Sequence, residues 1–142
     1  MNLSMYEQLE KVDKEKTRAK KIALLREYAQ SAPMKIILDL TFNPKWIWLL
    51  PVGVPPYSPA AKEADVHHVL KHDARRLQYF INTPEGKAMK TLRRETMFIE
   101  MLESVDRFDA KLLVSIKDKK MPFKSITKKL VQEALPEATE GW

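Results

Sequence analysis

The sequence predicts an all-α fold: a single compact domain of six or seven helices, crossed by one extended strap rich in proline and aromatic residues. A chain of 142 residues with 44% hydrophobic content is enough for one buried core. Its 31% charged residues exceed the roughly one quarter of an average chain and need the large solvated surface of a small helical protein. Apolar residues recur three and four apart, and no convincing strand pair is visible. We expect residues 1–136 to form the domain and residues 137–142 a short acidic tail.

Three helices are expected before the strap. Ser4 and Glu7 have the spacing of a capping box, which predicts a first helix from about residue 5. Thr17 is the next candidate start, and Pro33 suits the first turn of a short third helix, where its missing amide costs nothing. The expected buried faces are Ile22, Leu24, Leu25, Tyr28 and Ala29 in the second helix and Ile36, Ile37 and Leu40 in the third.

The strap comprises residues 42–59. Its prolines forbid a regular helix and supply no amides for a central strand. Its aromatic residues expose too much apolar surface to stay in water, so we expect the strap to pack onto the helices. An alternative is display of the Pro56 to Pro59 spacing as a polyproline ligand. The prolines are Pro44, Pro51, Pro55, Pro56 and Pro59, and the aromatic residues include Trp46, Trp48 and Tyr57.

Two further helices are expected after the strap. Asp65 is the expected N-cap of a helix over residues 66–81, and residues 82–87, with Pro84 and Gly86, are expected to break the helical pattern. A longer helix follows over residues 88–105. In it we expect Leu92, Phe98, Ile99 and Leu102 to be buried and Arg93, Arg94, Glu95 and Glu103 to be exposed.

The C-terminal part predicts two more helices. Asp106, with Asp109 three residues later, makes a helix start. Ser125 is the expected cap of the last helix, and Pro136 ends it.

The histidines offer a weak metal motif. His68 and His72 are four residues apart, so on a helix they share one face, with His67, Asp65 or Asp73 as further ligands. A metalloprotease helix carries glutamate directly after its first histidine, where Val69 stands here. We therefore expect ordinary surface or core-edge histidines and no metal. A pH-sensitive contact is the remaining alternative.

No motif in the chain predicts catalysis. There is no cysteine, no serine in a nucleophile elbow and no glycine-rich phosphate loop, since the chain has only three glycines. We therefore expect a protein that is not an enzyme and has no cofactor and no small-molecule substrate. No apolar run reaches the roughly 18 residues that span a bilayer, so no membrane association is expected.

A basic cluster over residues 111–129 contains seven lysines and one acidic residue, which equals the net charge of +6 of the whole chain. Such a cluster can bind phosphates, with Phe123 anchoring its loop, or it can simply be solvated. The connection between the two helices is about seven residues, longer than the three or four of a helix-turn-helix motif. The candidate phosphate contacts are Lys117, Lys119, Lys120, Lys124, Lys128 and Lys129.

Two arginine pairs form a second candidate anion site. Arg75 with Arg76 and Arg93 with Arg94 converge if their helices pack side by side, because guanidinium groups hold phosphate or carboxylate bidentately. The alternative is that they make weak surface ion pairs, with Glu95, Glu100 and Glu103 as the acids.

Three stretches carry a family resemblance: FNPKWIWLLPVGVPPYSP, LRRETMFIEMLESV and LLVSIKDKKMPFKSITKKLVQEALP. They resemble a family of small uncharacterised proteins of T4-like tailed bacteriophages, including those that infect marine cyanobacteria, over about residues 24–136. In that family an acidic residue follows the first proline of the stretch from Trp-Leu-Leu-Pro to Pro-Pro-Tyr, whereas here Val52 follows that proline, Pro51. The resemblance implies a phage-encoded accessory protein in the cytoplasm of the infected host, and it brings no catalytic residues.

Together these observations predict a non-enzymatic accessory protein that binds a macromolecule. The favoured partner is a host or phage protein of the replication or transcription machinery. The first alternative is nonspecific nucleic-acid binding by the basic cluster, and the second is a minor structural component of the virion. The expected contacts with a partner protein are Trp46, Trp48, Tyr57 and Phe123.

Overall fold

The computed structural model describes residues 3–59 and 69–142, and within them the fold is all-α, as predicted. The only strand-like pairing in these residues is an isolated antiparallel bridge between Trp48 and Ile81. None of the described helices is long and apolar enough to cross a membrane. The elements are α1 (Met5–Lys14), α2 (Arg18–Tyr28), α3 (Ala32–Phe42), α4 (Val69–Asp73), a 3-10 helix (Ala74–Phe80), α5 (Pro84–Ala88), α6 (Thr91–Ser104), α7 (Arg107–Lys117) and α8 (Lys128–Ala134).

The N-terminal helices begin where the sequence predicts. The Ser4 hydroxyl accepts a hydrogen bond of 3.1 Å from the Glu7 amide, and the Glu7 carboxylate accepts one of 3.2 Å from the Ser4 amide, which completes the capping box of α1. Thr17 caps α2, and Ser31 caps α3 just before Pro33. Asp106 caps α7, as expected.

One continuous apolar cluster joins these helices. Helix α1 packs on α2 and α7, α2 on α8, α6 on α7, and α3 on the 3-10 helix. The C-terminal tail takes part in the packing: Thr139 is buried and donates a hydrogen bond of 2.7 Å to the Leu135 carbonyl. The fully buried large side chains of the apolar cluster include Leu9, Leu25, Ile37, Leu70, Leu77, Phe80, Phe98 and Leu102.

The helices that follow the strap differ from the prediction. The helix expected over residues 66–81 is described from residue 69 onward. It consists of α4, which ends at Asp73, and the 3-10 helix, which begins at Ala74. Its expected cap, Asp65, lies outside the described residues. The expected break over residues 82–87 instead contains the start of α5, which Thr83 caps through a bond of 3.0 Å from the Gly86 amide. Because α5 ends at Ala88, α6 begins later than predicted.

The predicted cap of the last helix was also wrong. Thr127 accepts the amide of Leu130 at 3.2 Å and begins α8. Ser125 instead donates its hydroxyl and its amide to the carboxylate of Asp13, which ties the start of this segment to α1.

Arg94 was predicted to be exposed and Leu92 to be buried, and the structure shows the reverse. Only 6% of Arg94 is exposed, whereas 76% of Leu92 is exposed. Residues two positions apart on an α-helix point about 200° away from each other, so one of the two must face outward when the other faces the core. Helix α6 turns Arg94 inward together with Phe98, Met101 and Leu102.

Candidate functional site

The strap is fixed to the segment that follows the 3-10 helix. The Leu49 amide donates to the Phe80 carbonyl at 2.8 Å, and the Asn82 amide donates to the Ile47 carbonyl at 3.0 Å. The Asn82 side chain accepts from the Ile47 amide at 2.9 Å and donates to the Lys45 carbonyl at 3.1 Å. These hydrogen bonds satisfy backbone N–H and C=O groups of the strap, which forms neither a regular helix nor a regular strand.

The aromatic residues predicted to contact a partner divide into two groups. Trp48 and Phe123 are buried: Trp48 donates its indole N–H to the Leu40 carbonyl at 3.1 Å, and Phe123 packs edge-to-face on Tyr6. Trp46 and Tyr57 are half-buried and keep some accessible surface. Burial raises the pKa of Tyr57 above the usual tyrosine value. Trp48 and Phe123 therefore serve the fold, and only the other two remain available to a partner.

Lys119 is engaged within the protein. Its ammonium donates to the carbonyl oxygens of Leu40, Asn43 and Trp46 at 3.1, 2.9 and 3.1 Å, so it closes the C-terminal end of α3 and the start of the strap. Its backbone is left-handed, with φ of 60°. Burial lowers the pKa of Lys119, and the charge of Asp39 opposes that shift. The Lys119 ammonium, predicted to contact phosphate, thus already binds three backbone carbonyls of the protein.

Lys117 is engaged in the same way. Its ammonium donates to the Asp118 carboxylate at 2.7 Å and to the Pro51 carbonyl at 2.9 Å, and its side chain is buried. The other Asp118 oxygen accepts the Gly53 amide at 3.1 Å, where the strap turns with φ of +100°. Of the six predicted phosphate contacts, Lys117 is buried and Lys128 is half-buried, and the exposed ones are Lys119, Lys120, Lys124 and Lys129.

The two arginine pairs do not form the predicted patch. Arg94 donates to the carbonyls of Gly86 at 2.7 Å, Met89 at 2.8 Å and Leu49 at 3.5 Å, and so it faces the interior. Arg75, Arg76 and Arg93 remain exposed. Across the described ranges, none of the four arginines forms an ion pair with the three predicted acids, Glu95, Glu100 and Glu103.

Most of the histidine motif lies outside the described residues. His72 is exposed, while His67, His68 and Asp65 lie outside the described residues. The residues that the structure does describe contain no group of three histidine, aspartate or glutamate side chains placed to hold a metal ion.

An apolar groove lies between the strap and α6, and we call it the strap groove. Its volume is about 440 Å³, and the side chain of Glu95 is the one acidic group among its described lining residues. Three of its apolar side chains are largely exposed: Val52 (86%), Val54 (74%) and Leu92 (76%). The remaining lining residues are Leu50, Pro51, Gly53, Pro55, Pro56, Thr96, Phe98, Ile99 and Lys117.

The sequence pattern did not predict this groove, because it predicted that Leu92 is buried. The signal that pointed to it was the strap itself, since its prolines prevent both a helix and a paired strand from covering α6. The residues that hold the groove in shape, Lys117 and Arg94, were singled out for their charge alone.

The chain is thus an all-α protein in which an extended proline-rich strap and one helix enclose an apolar surface groove. It belongs to a family of unknown function, DUF6433, whose model matches residues 8–122. No curated protein matches the chain, and no solved structure does.

Proposed function

We propose that this is a non-enzymatic accessory protein that binds a segment of a partner protein in the strap groove. In the setting that the sequence resemblance implies, the partner is a host or phage protein of the replication or transcription machinery. The observation that carries the proposal is the concentration of exposed apolar side chains at one place. Of the five large apolar side chains that are exposed in the described chain, Val52, Val54 and Leu92 line this one groove.

Exposed apolar side chains that are scattered singly need no explanation, but a contiguous set marks an interaction site. The groove volume of about 440 Å³ lies in the range of binding pockets, about 300–1,000 Å³. Covering Val52, Val54 and Leu92 with apolar side chains of a partner removes their surface from water, which is the main favourable contribution to such association.

The charge of the groove narrows the chemistry of the partner segment. Glu95 is half-buried at the groove, and among the described residues it has no ion-pair partner. Lys117 also lines the groove, but its ammonium is engaged by Asp118 and by the Pro51 carbonyl. A segment that carries apolar residues next to one lysine or arginine fits both features, because its cation pairs with the Glu95 carboxylate.

The groove is held in shape before any partner arrives. Arg94 binds the Leu49 carbonyl, Lys117 binds the Pro51 carbonyl, and Glu103 accepts the Ser58 amide at 2.7 Å, so these side chains anchor the part of the strap from Leu49 to Ser58. A binding surface that is already ordered loses little conformational entropy on association, which favours affinity.

Photo-crosslinking in cells that carry the gene tests this function. A photoreactive residue at position 54 is expected to give an adduct with a discrete protein, and Leu92→Gln is expected to remove that adduct. Ile47→Gln is the matched control, because Ile47 is also exposed (59%) but does not line the groove. An adduct that survives Leu92→Gln, or no protein adduct at position 54, contradicts the proposal.

A further inference from the structure

A second groove lies on another part of the surface, between α3 and the 3-10 helix. We propose that it binds single-stranded nucleic acid, with a base against Trp46 and phosphates on Arg75 and Lys71. We call it the Trp46–Arg75 groove. It shares no residue with the strap groove, so this inference does not depend on the proposed protein partner.

The groove consists of two adjoining depressions of about 330 and 270 Å³. Both are lined by Ile36, Ala74 and Arg75, so the exposed Arg75 side chain lies where the two meet. Trp46 lies in the first depression and Lys71 in the second. An apolar floor with a cation at its centre and an aromatic ring at one end suits a chain that alternates bases and phosphates.

Among the described residues that line the two depressions, the charged side chains are the cations Lys71 and Arg75, and none is acidic. Neither Lys71 nor Arg75 has an ion-pair partner in the described part of the chain, unlike Lys117, which Asp118 neutralises. Unneutralised cations along a groove attract a polyanion, and the release of its counterions drives the binding.

The aromatic wall is held in place. Trp46 donates its indole N–H to the Asp39 carboxylate at 2.6 Å, and its carbonyl accepts from Lys119 at 3.1 Å. The Lys45 ammonium lies over one face of the Trp46 ring, 4.5 Å from the ring centre, which places a further cation at the ring. Aromatic stacking tolerates every base, so the groove favours a single strand without sequence preference over a peptide of acidic residues.

Fluorescence anisotropy with a labelled oligothymidylate measures this binding directly. Arg75→Gln and Lys71→Gln are each expected to weaken binding about fivefold or more. Arg75→Gln is expected to reduce the slope of log affinity against log salt by about 0.7, the value for one phosphate contact on a single strand. Arg76→Gln is the matched control, because Arg76 is exposed on the same 3-10 helix but lines neither depression, and it is expected to change affinity less than about twofold.

Tryptophan fluorescence supplies the second measurement. The oligonucleotide is expected to quench the intrinsic fluorescence, and Trp46→Phe is expected to remove that quenching while its phenyl ring preserves most of the affinity. Leu92→Gln, in the strap groove, is expected to leave both measurements unchanged.

Three outcomes overturn the inference. The first is no binding of the oligonucleotide at low salt, and the second is an equal loss for Arg75→Gln and Arg76→Gln. The third is poly-glutamate binding that matches the oligonucleotide in affinity and in dependence on Arg75, which assigns the groove to an acidic peptide instead.

Discussion

The Nη2 group of Arg94 donates a hydrogen bond of 2.7 Å to the carbonyl oxygen of Gly86. This bond joins the first turn of α6 to the last turn of α5, and the same guanidinium reaches the strap at the Leu49 carbonyl. Arg94, which the sequence pattern predicted to be exposed, therefore connects α6 to α5 and to the strap.

Arg94→Met is expected to lower the free energy of unfolding by about 2–4 kcal/mol, because buried carbonyls lose charged donors while the methionine keeps most of the apolar volume. Urea unfolding measures the loss. Arg93→Met is the control, since Arg93 is exposed on the same helix, and its effect is expected to stay within about 0.5 kcal/mol. Equal effects of the two substitutions would show that the Arg94 bonds contribute nothing.

Gly86→Ala is expected to destabilise the protein although alanine is the better helix former. A Cβ atom at position 86 would lie 2.0 Å from the carbonyl oxygen of Ile81, so the backbone would have to move. We expect a loss of about 2 kcal/mol or more, against the gain of about 1 kcal/mol from helix propensity. Lys87→Ala, at an exposed position of the same helix, is expected to be close to neutral by thermal unfolding. A raised melting temperature for Gly86→Ala would refute the close approach of α5 and Ile81.

Lys119→Met tests the link between the basic cluster and the strap. Loss of donors to Leu40, Asn43 and Trp46 is expected to lower the free energy of unfolding by about 1–3 kcal/mol. Limited proteolysis is expected to cut the strap of the variant faster. Lys120→Met, which removes the same charge at the neighbouring exposed position, is expected to behave as wild type in both measurements.

Arg18→Met is expected to raise the pKa of Glu133 toward the usual glutamate value. In the folded protein the hydrogen bond from Arg18, 3.0 Å long, is the main cause that lowers this pKa. A carboxylate whose pKa is lower in the folded state stabilises that state when the pH is above the pKa of the unfolded state. This stabilisation is lost as the pH falls through the pKa of the folded state. NMR titration of the Glu133 side chain measures the change, with Lys20→Met as the control. An unchanged titration would mean that the pair does not persist in solution.

The parts of the fold that could be predicted are those with local causes. Ser4, Thr17 and Asp106 cap helices through side chains that lie within three residues of the amides they bind. Ser125 failed as a cap because Asp13, far away in the sequence, is its actual partner. A pattern within one segment carries no information about such a distant acceptor.

The candidate site could be predicted only in part for the same reason. The strap was visible from its prolines, but the direction in which Leu92 and Arg94 face depends on where α6 begins and on which elements cover it. Lys117 and Lys119 stood out for their charge, whereas their partners are backbone carbonyls, which every residue possesses. Composition therefore could not separate a lysine that braces the strap from one that is free to bind phosphate.

The side chains that hold the strap lie far along the chain from the backbone that they bind. Lys117 is 66 residues from Pro51, and Lys119 is 73 residues from Trp46. Contacts that close such long loops form slowly, because the loop entropy is lost before the contact is gained. During synthesis the strap leaves the ribosome well before α7, so Lys117, Asp118 and Lys119 are not yet available to bind its backbone. We therefore expect docking of the strap to be a late event in folding, and a shortened chain that ends before residue 117 lacks all three of these anchors.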